Sequence, residues 1–477
     1  MKKLSLILMA GITLVACNRE ISTAEDPANS NRIAVRSGGE IAGELHPMNE
    51  TVTVSGKNMV TPQSYTYQAF AEGPGNLAYT KEDFTNGLTT GFSDSAQATA
   101  IFPVDDFLFV TWHLEHEEFG GAVSAYRYNS GTQTYDYLSI ATFDDTDFHE
   151  LHASKNSLTG YYEIFLVGQR SQATSGYVLQ GHRGAIVGKL LFNYINNTFN
   201  VGAYKELPLP GFGANDIMSA GGSLYVVTGN GLGLPSGAFG GNEFSGVFKT
   251  DPALTNVSQA YTLTDGIVLE VDPFNSSPSA ANYALIDFSQ NGGMNMKTYY
   301  DLSSTNPLSS LATASSTTVN VGGAANFRDR SGAAFVPATY DINGNVTSTA
   351  LVMAVGLLDG MHVVDVTTGT ATELTNTNVW RGQSVAYDHS TKIIYVAAAD
   401  QGMMMLAAPG YPGGVLVNDY DNVGIFAPPT SAPLSAPEFN VKDVSIYQAN
   451  NIAIAVGGAN VGSTKPAKGG VYFTRRN

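Results

Sequence analysis

The chain of 477 residues has 24 Lys and Arg against 41 Asp and Glu, a formal charge of −17, which excludes nucleic acid and anionic lipid headgroups as main partners because both need a cationic footprint. Its single cysteine, Cys17, rules out disulfides within the chain and, once modified, thiolate metal sites and cysteine nucleophiles. Abundant Gly, Tyr and Phe (51, 24 and 23 residues), with many Thr, Ser, Val and Asn, favour short strands and tight turns over long helices.

In chain order, Lys2 and Lys3 precede an apolar run from Leu4 to Ala16. The run is shorter than the about 20 residues a permanent transmembrane helix needs and has the form of an export signal. No second such run follows, so a multi-span membrane protein is excluded. Leu14-Val15-Ala16-Cys17 resembles the lipobox of bacterial lipoproteins. The resemblance implies removal of residues 1–16, a thioether-linked diacylglycerol on Cys17 and acylation of its new amino group. More than one acyl chain is what firm anchoring requires, at about 0.8 kcal/mol per buried CH₂. Asn18 stands where an aspartate would resemble an inner-membrane retention signal, so the expected location is the outer membrane, facing periplasm or cell surface. The alternative is an ordinary signal peptide with a chance cysteine. Residues 17–45, including the polar stretch NREISTAEDPANSNR, read as a flexible tether, and residues 46–477 as the folded domain.

Within that domain one event recurs: an apolar, β-branched or aromatic stretch that ends at glycine or a polar turn. Its landmarks are Phe107, Ile164, Leu224, Tyr283, Leu351, Ile393 and Ile452, and their spacing of roughly 40–70 residues predicts an all-β fold, a β-propeller with excess length in loops. Several stretches continue into a glycine turn and a second strand, as in LVMAVGLLDG followed by MHVVDVTTG. The segment Gly360–Val366 followed by Thr367-Thr368-Gly369 resembles the Leu-Val-Ile-Val-Asp repeat of bacterial surface propellers. That family implies a propeller fold with a binding or scaffolding role. Asp365 falls at a turn edge, where a carboxylate satisfies backbone N–H groups. Seven landmarks predict seven blades, with six or eight left open and a two-domain β-sandwich as the alternative architecture. The last unit stops short of a full blade at Asn477, so an N-terminal strand is expected to close the ring, from Glu50–Gly56 or Gln63–Ala71.

Two clusters carry candidate chemistry. TWHLEHEEFGG supplies His113, Glu115 and His116, and DDTDFHELHAS supplies His149 and His152. Imidazoles with carboxylates suit zinc or iron, although HLEH lacks the glutamate spacing of the metalloprotease motif. Asp144, Asp145 and Asp147 offer closely spaced oxygens for calcium, as does NDYDN at 418–422 and, more loosely, the pair Asp329 and Asp341, without the spacing of an EF-hand loop. For both clusters the plain alternatives are a solvated acidic rim and turn-forming aspartates. No phosphate-loop or serine-nucleophile motif is present. The resulting expectation is a noncatalytic, membrane-anchored envelope lipoprotein whose propeller binds an envelope protein or a glycan, with no required cofactor. The competing reading is a metal-dependent hydrolase or lyase built on the His/Glu cluster.

Overall fold

Phe107–Leu114 forms a strand because its β-branched and aromatic residues fit a pleated surface on both faces. Phe107 through Trp112 are all buried, the pattern of a strand covered on both sides. The computed structural model describes residues 32–41, 45–54, 63–72, 96–114, 119–132, 134–171, 184–229, 245–263, 266–271, 283–289, 295–300, 315–320, 331–340, 342–348, 351–356, 360–365, 368, 370–373, 382–399, 402–408, 422–426, 439–447, 452–459 and 470–476. Among them the only helix is the single turn Gly38–Ile41.

The strands assemble into antiparallel sheets. The first contains, from one edge to the other, Ala96–Val104, Phe107–Leu114, Gly121–Asn129, Thr134–Phe143 and Ile33–Ser37. The second contains Thr146–Asn156, Tyr161–Arg170, Ala185–Asn193 and Thr198–Pro208, and the third Gly213–Ala220, Ser223–Gly229, Gly246–Thr250 and Val257–Thr262. Next come the fourth, Gly266–Val271, Tyr283–Ser289, Asn295–Tyr300 and Ser315–Asn320, and the fifth, Gly332–Val336, Leu351–Gly356, Gly360–Asp365 and Ala371–Glu373. The sixth holds Ser384–Asp388, Ile393–Ala397, Met403–Ala407 and Asn422–Phe426. The last begins with Phe439–Tyr447, Ile452–Ala459 and Gly470–Arg476 and is completed by Gln63–Glu72 and Leu45–Val54.

The first strand of each sheet packs against the first strand of the next, and Phe439–Tyr447 packs back against Ala96–Val104. The result is a propeller-like ring of sheets around an axis. Each apolar landmark lies on the strand next to the axial one. The core lies between neighbouring sheets. Phe107, Phe109, Phe143, Phe148, Tyr162 and Phe192 fill the space between the first and second sheets. Tyr126, Tyr135, Val471 and Phe473 join the last sheet to the first, with the Tyr135 and Phe473 rings stacked at 4.1 Å. Gly168 allows close packing at one such point, since a Cβ there would strike the carbonyl of Asp147.

Both N-terminal closing candidates enter the last sheet. Gln63–Glu72 pairs with Gly470–Arg476 in a register running from Tyr65 opposite Arg476 to Ala71 opposite Gly470, and Leu45–Val54 pairs outside it. Asp365 accepts a hydrogen bond from Thr368 N at 2.8 Å, as its turn position predicts. In the sixth sheet Asp388 organises its turn through Ser390 N, at 2.8 Å, and the Thr391 hydroxyl, at 2.7 Å.

The tether reading of residues 17–45 needs correction over 32–41. Ile33–Ser37 pairs with Thr134–Phe143 as the outer strand of the first sheet, with Ile33 buried. Composition misled because the flanking residues are polar, and beside the strand ladder and Ile33 the docking draws on one charge, Arg32. Its Nε donates to Asp145 Oδ1 at 3.0 Å, and its Nη2 donates to Thr146 Oγ1 at 3.1 Å and Glu206 Oε2 at 3.2 Å. Arg170 completes the array, donating to Asp145 Oδ2 at 2.9 Å and Glu206 Oε1 at 2.7 Å. The Arg32 guanidinium also lies 5.6 Å from the Tyr204 ring centroid, a cation–π contact.

Candidate functional site

Five of the axial strands share one irregularity. Register shifts interrupt them at Ala98/Ala100, Phe148/Glu150, Ala214/Asp216, Gly266/Val268 and Val441/Asp443. A β-bulge leaves one residue unpaired and turns its side chain out of the strand's alternation. At three of the five, that residue reaches the neighbouring sheet. Thr99 Oγ1 donates to Phe148 O at 2.9 Å, His149 Nδ1 to Ala214 O at 3.0 Å, and Asn215 Nδ2 to Gly266 O at 2.7 Å. Each accepting carbonyl belongs to the residue just before the next sheet's bulge.

The residue after the bulge forms a second clasp where it is an aspartate. Asp216 accepts from Ile217 N and from Leu269 N of the fourth sheet, both at 2.7 Å. Asp443 does the same with Val444 N, at 2.8 Å, and with Ile101 N of the first sheet, at 2.9 Å. Bonds to a carboxylate are stronger than neutral ones. Asp443→Ala should therefore leave two buried N–H groups without an acceptor and cost about 2–3 kcal/mol. Urea denaturation of the folded variant measures this, and a loss below about 0.5 kcal/mol would remove the clasp as a stabilising element.

The axial strands enclose a cavity of about 530 Å³. Glu150 and His152 of the second sheet, Asn215 and Asp216 of the third, Glu270 of the fourth, and Asp443 of the last all line it. No lysine or arginine stands among the described lining residues. Burial, reinforced by Asp216 and Asp443, pushes the Glu270 carboxyl well above its ordinary range. Burial also lowers the His152 imidazole to about 4, with the Phe102 ring edge-on at 4.8 Å. Two buried polar atoms of wall residues, Asn215 Oδ1 and Ser331 Oγ, have no hydrogen-bond partner among the described residues.

The His152 shift has a definite sign. Unfolded chains protonate this imidazole below about 6.5 and the folded chain only near 4, so its contribution to stability falls as pH drops through that window. The stability difference between the parent and His152→Asn should change by about 3 kcal/mol from pH 7 to pH 4 in the parent's disfavour. A pH-independent difference in denaturation free energy would contradict the neutral, buried imidazole.

The histidine cluster predicted from sequence divides between different jobs. His113 lies one residue before the end of the Phe107–Leu114 strand, opposite Gly121, His149 clasps the third sheet, and His152 lines the cavity. Glu115 and His116 lie outside the described residues, as do Cys17, Asp329, Asp341 and residues 418–421 of NDYDN. The three aspartates read as calcium ligands also have separate roles. Burial opposes charge on Asp145, but the Arg32 and Arg170 guanidiniums outweigh it and lower the carboxyl. Burial pushes Asp147 well above the usual range, offset in part by a hydrogen bond from Gly120 N at 3.1 Å. Burial and the Asp145 charge raise Asp144. Among the described residues no three His, Asp or Glu side chains converge as metal ligands.

Sequence reasoning passed over Asn215, Asp216, Glu270, Asp443 and Arg32. A signal for the first four was present. Each interrupts an apolar strand, in GANDIM, IVLEV and NVKDVSI, where a polar residue requires a buried partner.

No known family model and no curated protein sequence matches the chain. Among solved structures it is similar to a periplasmic gluconolactonase, PpgL, of Pseudomonas aeruginosa, at 10% identity and TM-score 0.39, covering 79% of this chain and 96% of that one. It is also similar to Sqt1 of Chaetomium thermophilum, at 10% identity and TM-score 0.44, covering 89% of this chain and 91% of that one. Likenesses of this strength carry no argument about activity.

Proposed function

We propose that the chain is a lipid-anchored envelope protein whose seven-bladed ring binds a protein or glycan partner without catalysing a reaction. The blade count draws support from the axial strands meeting in sequence order and returning to the first. The noncatalytic reading is carried by one observation: polar groups that a catalyst would direct at a substrate are engaged in holding the ring together. His149, Asp216 and Asp443 each bond to the backbone of the adjoining sheet. A rigid ring with its inner polar groups so engaged is a platform for loops, and loops on rigid scaffolds are where recognition concentrates.

On this reading residues 1–16 are removed, Cys17 carries the acyl chains, and the stretch from Cys17 to Asn31 links the outer membrane to the ring. The test labels cells with radioactive palmitate and fractionates them. The parent should carry label and sediment with the outer membrane, whereas Cys17→Ser should lose the label and move to the soluble fraction. Unlabelled parent protein, or a labelled Cys17→Ser variant, would overturn the anchor. Crosslinking in intact cells followed by mass spectrometry tests the partner role. Turnover of any substrate that Asp443→Asn abolishes while the ring stays folded would overturn the noncatalytic reading.

A further inference from the structure

We propose that the axial cavity holds a neutral sugar of one or two rings. The proposal rests on the partner-binding reading given above and supplies it with a place and a chemistry. The cavity's volume of about 530 Å³ lies within the roughly 300–1,000 Å³ typical of small-molecule pockets. Its described wall has a closed end and an open one. At or near the starts of the axial strands the lining residues Asn215, Ser331 and Gln383 are buried, whereas Ser219, Ala386 and Ile446 further along are exposed or half-buried. An occupant therefore enters from the end where the axial strands turn into their neighbours.

Most acids of the wall belong to the ring's own frame. Asp216 accepts from Ile217 N and Leu269 N, one with each oxygen, and Asp443 accepts from Val444 N and Ile101 N in the same way. Glu150 accepts from Leu151 N at 3.1 Å. Glu270 differs: burial, with the charges of Asp216 and Asp443, pushes its carboxyl well above the usual range. A neutral carboxyl has an O–H to donate and an oxygen to accept with. Burial holds the His152 titration near 4, so its imidazole is neutral at pH 7, with one nitrogen donating and the other accepting. Both side chains line the cavity and are half-buried.

Three hydroxyls extend the same pattern. Ser219, Ser384 and Ser445, from the third, sixth and last sheets, line the cavity and are exposed or half-buried. A hydroxyl, too, both donates and accepts. A wall of neutral carboxyl, neutral imidazole and hydroxyls matches an occupant rich in groups of the same dual kind and without charge. A sugar has that form, with hydroxyls around the rim of a ring and C–H faces above and below. Phe102, Met218 and Phe335 in the wall supply carbon surface for those faces. The Phe102 ring packs edge-on against His152 at 4.8 Å, so apolar surface and hydrogen-bonding group lie side by side. A purely apolar occupant would desolvate these polar groups without pairing them, which is costly.

Calorimetry on the full folded chain tests the proposal, with glucose, galactose, mannose, N-acetylglucosamine, maltose and cellobiose as probes. At least one should bind saturably at up to about 10 mM, roughly tenfold above a millimolar dissociation constant. For that sugar Glu270→Gln, which keeps a neutral donor and acceptor, should change affinity by less than about twofold. Glu270→Ala and His152→Phe should each weaken it about fivefold, and Ser219→Ala about threefold, as expected for loss of one neutral hydrogen bond. Thermal melts confirm that each variant is folded, and exposed Ser219 can be replaced without disturbing the ring. No binding of any of these sugars, or binding indifferent to all three residues, would overturn the site. Glu270→Gln as damaging as Glu270→Ala would reveal a working carboxylate, and tighter binding of glucosamine than of glucose would reveal a cation site; either overturns the neutral occupant. Equal affinity for cyclohexanol would overturn the sugar. A partner crosslinked in cells whose capture needs none of these residues would leave the partner-binding reading intact and remove only the cavity from it.

Discussion

A chain from which residues 45–72 are deleted is expected to lose its cooperative thermal transition. The strand Gln63–Glu72 pairs with the strand Gly470–Arg476 along the full length of the latter, and Leu45–Val54 covers it in turn. Without them Gly470–Arg476 becomes a bare edge, and exposed edges invite non-native pairing. The same strand supplies Val471 and Phe473 to the cluster between the last and first sheets, so the damage reaches both. Differential scanning calorimetry measures the result. A deletion that melts as one transition at the parental temperature would mean the ring does not depend on this closure.

Replacing Arg32 with methionine is expected to cost about 3–5 kcal/mol, the range for removing one partner of a buried charge pair. Asp145 and Glu206 would keep Arg170, but two carboxylates would then share one guanidinium. Tyr204, whose hydroxyl donates to Glu206 at 2.9 Å, would also lose the cation beside its ring. Arg32→Lys should recover only part of the loss, because an ammonium cannot reproduce the forked contact to Asp145, Thr146 and Glu206. Urea midpoints converted to free energy provide the readout. A loss below about 1 kcal/mol for Arg32→Met, typical of exposed ion pairs, would show that this array does not hold the N-terminal strand. Acidification provides a second check. The lowered Asp145 carboxyl stabilises the fold above its unfolded titration near 3.9, and that stability is lost as pH falls below it.

The sequence made the ring legible wherever strand identity rests on local chemistry. Strands covered on both faces must be apolar throughout, so YEIFLVGQ and KIIYVAAADQG announce themselves, and their recurrence reports a repeated sheet. Closure was legible too, since the alternating stretch QSYTYQAFA reads as a strand ahead of the first apolar landmark, and it pairs with Gly470–Arg476. What escaped notice depends on contacts between distant residues. Arg32 sits in a polar stretch that composition assigns to a tether, and its value comes from Asp145, Arg170 and Glu206, far along the chain. The cavity wall was legible only in part for a related reason. Histidine and aspartate density drew attention to DDTDFHELH, which supplies Glu150 and His152 to the wall, whereas its other carboxylates come singly from distant strands. Only the ring geometry brings Asp216, Glu270 and Asp443 together.

Because its final sheet joins Ala71 to Gly470, the ring cannot close until the chain has been made past Gly470. Strands far apart in the sequence must find each other, the kind of distant pairing that slows folding. The ring therefore locks last at this sheet, after every other sheet has its strands to hand.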